Sequence, residues 1–155
     1  MAIFVLVHGA WHDGSAWDAV VRHLESKGHK AFAPTVAGHG KGARRNVTHA
    51  DCTRSLVEFI TGNSLSDIIL VGHSFGGTLI SKAAEAIPER IRRLVFQNAF
   101  VLRDGMSLLD EVPPEMAAGF SQLAQHSSDN MAGSHEVMFT NPQGLAEKIL
   151  EAGRD

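Results

Sequence analysis

The 155-residue sequence contains no tyrosine, a single cysteine and no excess of basic residues. Cys52 has no second thiol with which to pair, so no intrachain disulfide bond can form. Lysine and arginine number 14 against 17 acidic residues, and this net charge of −3 argues against a nucleic-acid partner. Nothing in this composition points away from the cytoplasm, where we expect the protein to be located.

Long apolar runs are also absent. The longest, residues 2–7, is far too short to span a bilayer, and no basic segment precedes it as it would in a signal peptide. We therefore expect neither a membrane span nor a membrane partner.

Short apolar segments alternate with amphipathic helical patterns up to about residue 103. Parallel strands need helical crossovers, so this order predicts an α/β fold with a parallel sheet and helices on both faces. Beyond that point the strand patterns disappear, and Asn141-Pro142 predicts the start of a last helix. The predicted strands are residues 3–7, 30–33, 67–71 and 93–96.

Two capping boxes mark the starts of earlier helices. Ser15 with Asp18, and Thr48 with Asp51, have the spacing at which side chain and backbone cap each other. A third segment, the glycine-rich residues 38–42, has neither the spacing nor the strand–loop–helix setting of a phosphate-binding loop. We predict a mobile, solvated loop there and expect no cofactor.

The segment Gly72-His73-Ser74-Phe75-Gly76 lies between a predicted strand and a predicted helix. A nucleophilic serine needs a sharp turn in this setting, and side chains two residues before and after it would collide. The helix that follows points its first amides at the turn, which favours developing negative charge. We predict that Ser74 is a nucleophile, whereas the simpler alternative is a tight turn that contains a buried serine.

His8-Gly9-Ala10-Trp11 follows the first predicted strand. An acyl-transfer enzyme needs two backbone N–H groups directed at the oxyanion. We assign them to Phe75, which follows the nucleophile, and to Ala10, with Gly9 allowing a close backbone approach. His8 and His12 are four residues apart, but no carboxylate on a helix accompanies them, so we expect no metal site.

Three segments resemble the α/β-hydrolase fold, in the branch of plant methylesterases, hydroxynitrile lyases and their bacterial relatives. They are FVLVHGAWHDGSAW at 4–17, LVGHSFGG at 70–77 and RLVFQNAFVLRDG at 93–105. MFTNPQGLAEKIL at 138–150 is similar to a stretch of the helical cap of that branch. The resemblance implies that residues 1–103 are the N-terminal part of the hydrolase core and that residues 104–155 begin the cap.

The resemblance implies a serine carboxylesterase or methylesterase. Ser74 would form an acyl-enzyme with a small apolar ester, thioester or lactone, with no metal or cofactor. Lyases of this branch tend to carry threonine at the place of Gly9 and a charged residue at the place of His73, so we favour ester hydrolysis over cyanohydrin cleavage. The substrate-pocket candidates are Gly9, Trp11 and His73.

The acid and histidine of the triad follow the serine in this fold. After Ser74 the histidines are His126 and His135, and neither follows a predicted strand that would position it. Asp104 and Asn98 lie near a place where an acid could stand, but Asp104 fits a turn before Gly105 better.

We therefore expect that this chain is truncated before the last strands and that the triad acid and histidine are missing from it. The strand near residue 96 would then present an open edge. A fragment of a longer protein, a complementing chain and self-association through this edge all fit that expectation. A ligand-binding or interaction protein that has lost the triad is the alternative function.

Overall fold

The computed structural model describes residues 1–119 and 141–154 of the chain. In this part, strands of one parallel sheet lie in the order β2-β1-β3-β4, with Val5 opposite Leu70 and Leu70 opposite Leu94. The parallel sheet is confirmed. The strands are β1 (Ile3–Val7), β2 (Lys30–Phe32), β3 (Ile68–His73) and β4 (Ile91–Gln97).

Helices follow the strands as the alternating pattern predicts. Residues 114–119 are also helical. Short 3₁₀ turns occupy Gly14–Trp17, Pro88–Arg90 and Leu108–Asp110. The longer helices are α1 (Asp18–Ser26), α2 (His49–Gly62), α3 (Gly76–Ala86) and α4 (Pro142–Ala152).

Helices cover both faces of the sheet, because successive side chains of a strand point to opposite faces. Phe4 and Leu6 of β1 join the core cluster that contains residues of α1 and α4. Val5 and Val7 join the opposite cluster, which contains residues of α2 and α3. The sheet therefore lies between two apolar layers, which confirms the three-layer architecture.

The helix starts confirm the capping box predicted at Thr48 and the helix start predicted at Asn141-Pro142. Thr48 and Asp51 form the reciprocal capping box of α2, and the Asn141 side chain accepts the Gly144 N–H at the start of α4. The box predicted at Ser15 and Asp18 is wrong. Asp13 takes the capping role there, because its carboxylate accepts the Ser15 N–H and hydroxyl and begins a 3₁₀ turn before α1.

Helix α4 packs against α1 in the core. His23 on α1 lies 2.8 Å from the Glu147 carboxylate on α4, and Arg93 of β4 donates to the Ala152 carbonyl at 2.7 Å and to that of Arg154. These contacts hold α4 on the core, whereas the division of the chain at residue 104 stays a prediction.

Strand β4 forms one edge of the sheet among the described residues. Phe96 on this strand is exposed, and several of its neighbours are only partly buried. No helix within residues 1–119 and 141–154 is long and apolar enough to cross a membrane. The cytoplasmic location and pairing through this edge both stay predictions.

Candidate active site

Ser74 occupies the turn between β3 and α3 with a φ of 51°. This left-handed conformation costs a residue with a Cβ about 1–2 kcal/mol, so it persists only where the surroundings enforce it. The Gly77 and Phe100 N–H groups enforce it here by donating to the Ser74 carbonyl at 3.0 and 3.1 Å. The serine side chain is thus held at the carboxyl end of a central strand.

The two glycines around Ser74 are required by close backbone contacts. A Cβ on Gly72 would stand 2.7 Å from the Gly76 carbonyl oxygen. A Cβ on Gly76 would stand 2.7 Å from the Val7 oxygen and 2.8 Å from the His8 oxygen. Because these neighbours are backbone atoms of the turn and of β1, neither side chain can be accommodated by a rotamer change.

Two backbone N–H groups near the serine, those of Phe75 and Ala10, are left without a hydrogen-bond acceptor among the described residues. Phe75 caps the helix without a side-chain hydrogen bond, and within residues 1–119 and 141–154 neither its N–H nor that of Ala10 has an intrachain acceptor. Gly9 lies beside the serine, since a Cβ at Gly9 would stand 3.1 Å from Ser74 Cβ. The arrangement can accommodate negative charge next to the serine.

His8 is fully buried at the end of β1 and connects two loops. Its Nδ1 lies 2.8 Å from the Gly9 carbonyl oxygen, and its Nε2 lies 3.1 Å from the Val36 nitrogen. The backbone N–H of Val36 must donate, so Nε2 is the acceptor and Nδ1 carries the proton. Burial lowers the pKa of His8 to about 4, which keeps the ring neutral in this role.

Aromatic rings continue from His8 towards α2. His39 contacts His8 with ring centroids 5.0 Å apart and stacks on Phe75 at 6.1 Å. His49 meets the other side of this group, edge-on to Phe75 at 5.7 Å, and its Nε2 lies 2.9 Å from the Thr78 hydroxyl. That hydroxyl donates to the Phe75 carbonyl at 2.7 Å, so it accepts a hydrogen bond from the Nε2–H of His49.

His73, the residue before the serine, is buried on the α1 side of the sheet. Its ring lies edge-on to Trp17 at 6.4 Å and to His12 at 6.5 Å. A Cβ on Gly9 would stand 3.0 Å from the His73 ring. His73 therefore fixes the space beside Gly9.

A cavity of about 710 Å³ lies between α3 and residues 102–109. Phe75, Thr78 and His49 form part of its wall, and Ser74 is not among its lining residues. Gly9, Trp11 and His73 do not line it either. Their place in a substrate pocket stays a prediction.

The described residues bring no acid–base pair to the serine. Within residues 1–119 and 141–154, no hydrogen bond joins the Ser74 hydroxyl to an imidazole or a carboxylate. Asp104 lines the cavity instead, and Asn98 follows β4 with a φ of 42°. His126 and His135 lie outside the described residues. In this part of the chain, no group of three or more potential metal-ligating side chains comes together.

Comparison with known proteins agrees with the fold. The sequence model of the alpha/beta hydrolase family matches residues 4–152. The chain belongs to this family. The resemblance seen in the three sequence segments is thereby confirmed.

Three relatives show how far the similarity extends. A carbendazim hydrolyzing esterase from Nocardioides sp. (strain SG-4G) is 42% identical over 96% of this chain and 60% of its own length. Salicylic acid-binding protein 2 from Nicotiana tabacum is 40% identical over 96% of this chain and 60% of its own length. An extracellular alpha/beta-hydrolase from a Paenibacillus species has a TM-score of 0.79 and 34% identity, covering 99% of this chain and 66% of that one. The chain spans about 60% of the length of these curated relatives.

The sequence predicted the sharp turn at Ser74 but not the contacts around it. The loop predicted to be mobile and solvated places His39 between His8 and Phe75, and Arg45 donates to the Gly38 carbonyl at 3.1 Å. His39 is thus packed, whereas Lys41 and Gly42 of the same loop are exposed, and the mobility of the loop stays a prediction. The only signal in the sequence was a histidine between two glycines, which does not reveal contacts across 31 to 36 residues of chain.

Proposed function

We propose that Ser74 is the nucleophile of a serine esterase that cleaves a small apolar ester, thioester or lactone. The observation that carries this proposal is the left-handed Ser74 between two glycines that no other residue can replace without a backbone clash. A strained turn at the end of a strand and the start of a helix is the setting in which a serine hydroxyl stands clear for attack.

The reaction then divides into two acyl transfers. Ser74 Oγ attacks the carbonyl carbon while its proton passes to a general base, and the Ala10 and Phe75 N–H groups stabilise the oxyanion. The leaving alcohol or thiol departs with a proton, or a lactone opens, and water then hydrolyses the acyl-enzyme. We assign the base and its acid partner to residues outside the described part of the chain.

Family membership supports hydrolysis. Relatives of this chain include esterases, one of which is named for hydrolysing carbendazim, which supports a small-molecule substrate. The whole protein's substrate and partners remain part of the proposal, because the relatives extend beyond the matched region.

The limited space at Gly9 argues against the lyase chemistry found in the branch that this sequence resembles. A Cβ at this position would stand 3.0 Å from the His73 ring and 3.1 Å from Ser74 Cβ. A threonine, which the lyases tend to carry there, would therefore need His73 or the serine to move. The glycine–histidine pair favours an esterase.

Covalent labelling tests the proposal. In a purified protein that also contains the base and its acid partner, we expect a fluorophosphonate to add once, as read by intact mass, and to fail with Ser74→Ala. Ser64→Ala is the matched control, because Ser64 also has a left-handed backbone, with a φ of 53°, but lies exposed in a turn. Labelling should survive in that variant.

The labelling result also separates the two function classes. Labelling that persists in Ser74→Ala would overturn the assignment of the nucleophile. A folded protein that resists labelling yet binds small apolar esters would instead support the non-catalytic ligand-binding alternative.

A further inference from the structure

The Ala10 N–H belongs to the same peptide group as the Gly9 carbonyl. A trans peptide is planar, so its C=O and N–H point in opposite directions. Whatever holds the Gly9 carbonyl therefore also sets the direction of the Ala10 N–H.

His8 holds that carbonyl from a fixed position. Its Nδ1–H donates to the Gly9 oxygen at 2.8 Å, and its Nε2 accepts the Val36 N–H at 3.1 Å. With both ring nitrogens bonded and the side chain fully buried, the ring has a single orientation and a single tautomer. A hydrogen bond to the carbonyl also polarises the peptide and strengthens its N–H as a donor.

The same ring is connected to the second donor. His39 lies between His8 and Phe75, with centroid distances of 5.0 and 6.1 Å, and its own Nδ1 bonds the Ala37 carbonyl at 3.0 Å. His49 and Thr78 hold Phe75 from the other side. His8, His39 and Phe75 thus form one packed group, and His8 at one end of it bonds the carbonyl of the Gly9–Ala10 peptide.

We propose that His8 is a positioning residue that directs the Ala10 N–H at the oxyanion. His39 in turn holds the His8 ring at a fixed distance from Phe75. The proposal rests on the esterase function proposed for Ser74. His8 touches neither the serine hydroxyl nor, by this assignment, the substrate. His8 acts by orienting the Gly9–Ala10 peptide. This orientation stabilises mainly the transition state, where the negative charge develops.

Two substitutions separate the hydrogen bonds from the packing. His8→Phe keeps a ring against His39 but loses both hydrogen bonds, whereas His8→Gln keeps one donor and one acceptor without the ring. For hydrolysis of a small chromogenic ester, we expect His8→Phe to lower kcat about 10- to 100-fold with KM nearly unchanged. His8→Gln should retain more of the kcat than His8→Phe.

The matched control is His29→Phe. His29 is also a histidine near a strand, it bonds the Ala2 N–H through Nδ1 at 3.1 Å, and it packs on Phe4. This variant should keep its kcat. An unchanged kcat in His8→Phe would overturn the proposal, as would equal kcat losses in His8→Phe and His8→Gln that follow their melting temperatures.

A spectroscopic measurement on the wild-type protein needs neither turnover nor a variant. The ¹⁵N shifts of the His8 ring should report a neutral imidazole with its proton on Nδ1 at pH 6. The charged or titratable groups that act on this ring are His39, His12 and Asp13. A proton on Nε2, or an imidazolium at that pH, would overturn the proposal. If Ser74→Ala left hydrolysis intact, the esterase function itself would fail, whereas loss in Ser74→Ala with full activity in His8→Phe would remove only the positioning role.

Discussion

Close backbone contacts determine which residue types fit at the serine turn. Gly76 lies against the carbonyl oxygens of β1, so its lack of a side chain is a condition for packing α3 onto the sheet. Gly62 shows the opposite case, because a Cβ there would meet no atom within 4 Å. The same residue type therefore has different roles at two helix ends.

Gly76→Ala should destabilise the protein strongly. The added carbon would stand 2.7 Å from the Val7 oxygen, and relieving this clash needs β1 and α3 to separate. We expect a loss of about 3 kcal/mol or more in the free energy of unfolding, together with loss of fluorophosphonate labelling. Gly62→Ala is the control and should be neutral or stabilising by up to about 1 kcal/mol, because alanine favours helix. Urea titrations of both variants check this, and equal stabilities would contradict it.

The sequence could predict the serine turn because its determinants lie within five residues. Ser74, Gly72 and Gly76 are close in sequence, and the apolar run of β1 before the loop at residues 8–11 is an equally local pattern. The His8–Val36 bond joins residues 28 apart, and the His49–Thr78 bond joins residues 29 apart. Such pairs depend on how the loops at the sheet edge pack together, which no local pattern records.

At the scale of elements, helix starts show where spacing alone misleads. Ser15-x-x-Asp18 and Thr48-x-x-Asp51 have the same spacing, yet only the second forms a capping box. Asp13 explains the difference, because it lies two residues before Ser15 and binds both its N–H and its hydroxyl. A nearer carboxylate thus changes the first helix turn to 3₁₀ and moves the start of α1 to Asp18.

Thr48→Ala should therefore cost more stability than Ser15→Ala. Thr48 accepts the Asp51 N–H and donates its hydroxyl to the Asp51 carboxylate at 2.8 Å. We expect its loss to lower the free energy of unfolding by about 1 kcal/mol. Ser15→Ala keeps the hydrogen bond from the residue-15 N–H to the Asp13 carboxylate. It should lower the free energy of unfolding by only a few tenths of the loss in Thr48→Ala. Thermal melts of the two variants give the comparison, and the reverse order would show that Ser15 is the true cap.

For the whole molecule, four histidines that lose solvent on folding tie stability to pH. His8, His12, His39 and His49 all have pKa values lowered by burial, so the folded protein takes up their protons at lower pH than the unfolded chain. Stability therefore rises with pH wherever the unfolded chain binds more protons. Above about pH 7.5 both states are neutral at these groups and the effect vanishes.

The free energy of unfolding should fall as the pH drops from about 7.5 to 5. With an unfolded pKa of 6.5 and a folded pKa of about 4, His8 alone contributes a loss of about 2 kcal/mol at pH 5. Carboxylates with lowered pKa values, such as Asp13 and Asp51, act in the same direction but mainly below pH 5. Urea titrations at the two pH values measure the loss.

His8→Gln isolates the part that belongs to His8, because glutamine does not titrate in this range. The variant is expected to be less stable than wild type at pH 7.5 but to lose about 2 kcal/mol less between pH 7.5 and 5. The remaining loss would then include the contributions of His12, His29, His39 and His49. An equal loss in both proteins would mean that His8 already carries its proton at pH 5 in the folded state. Its Nε2 could then no longer accept the Val36 N–H. The assignment of a neutral His8 ring that donates to the Gly9 carbonyl would then be wrong.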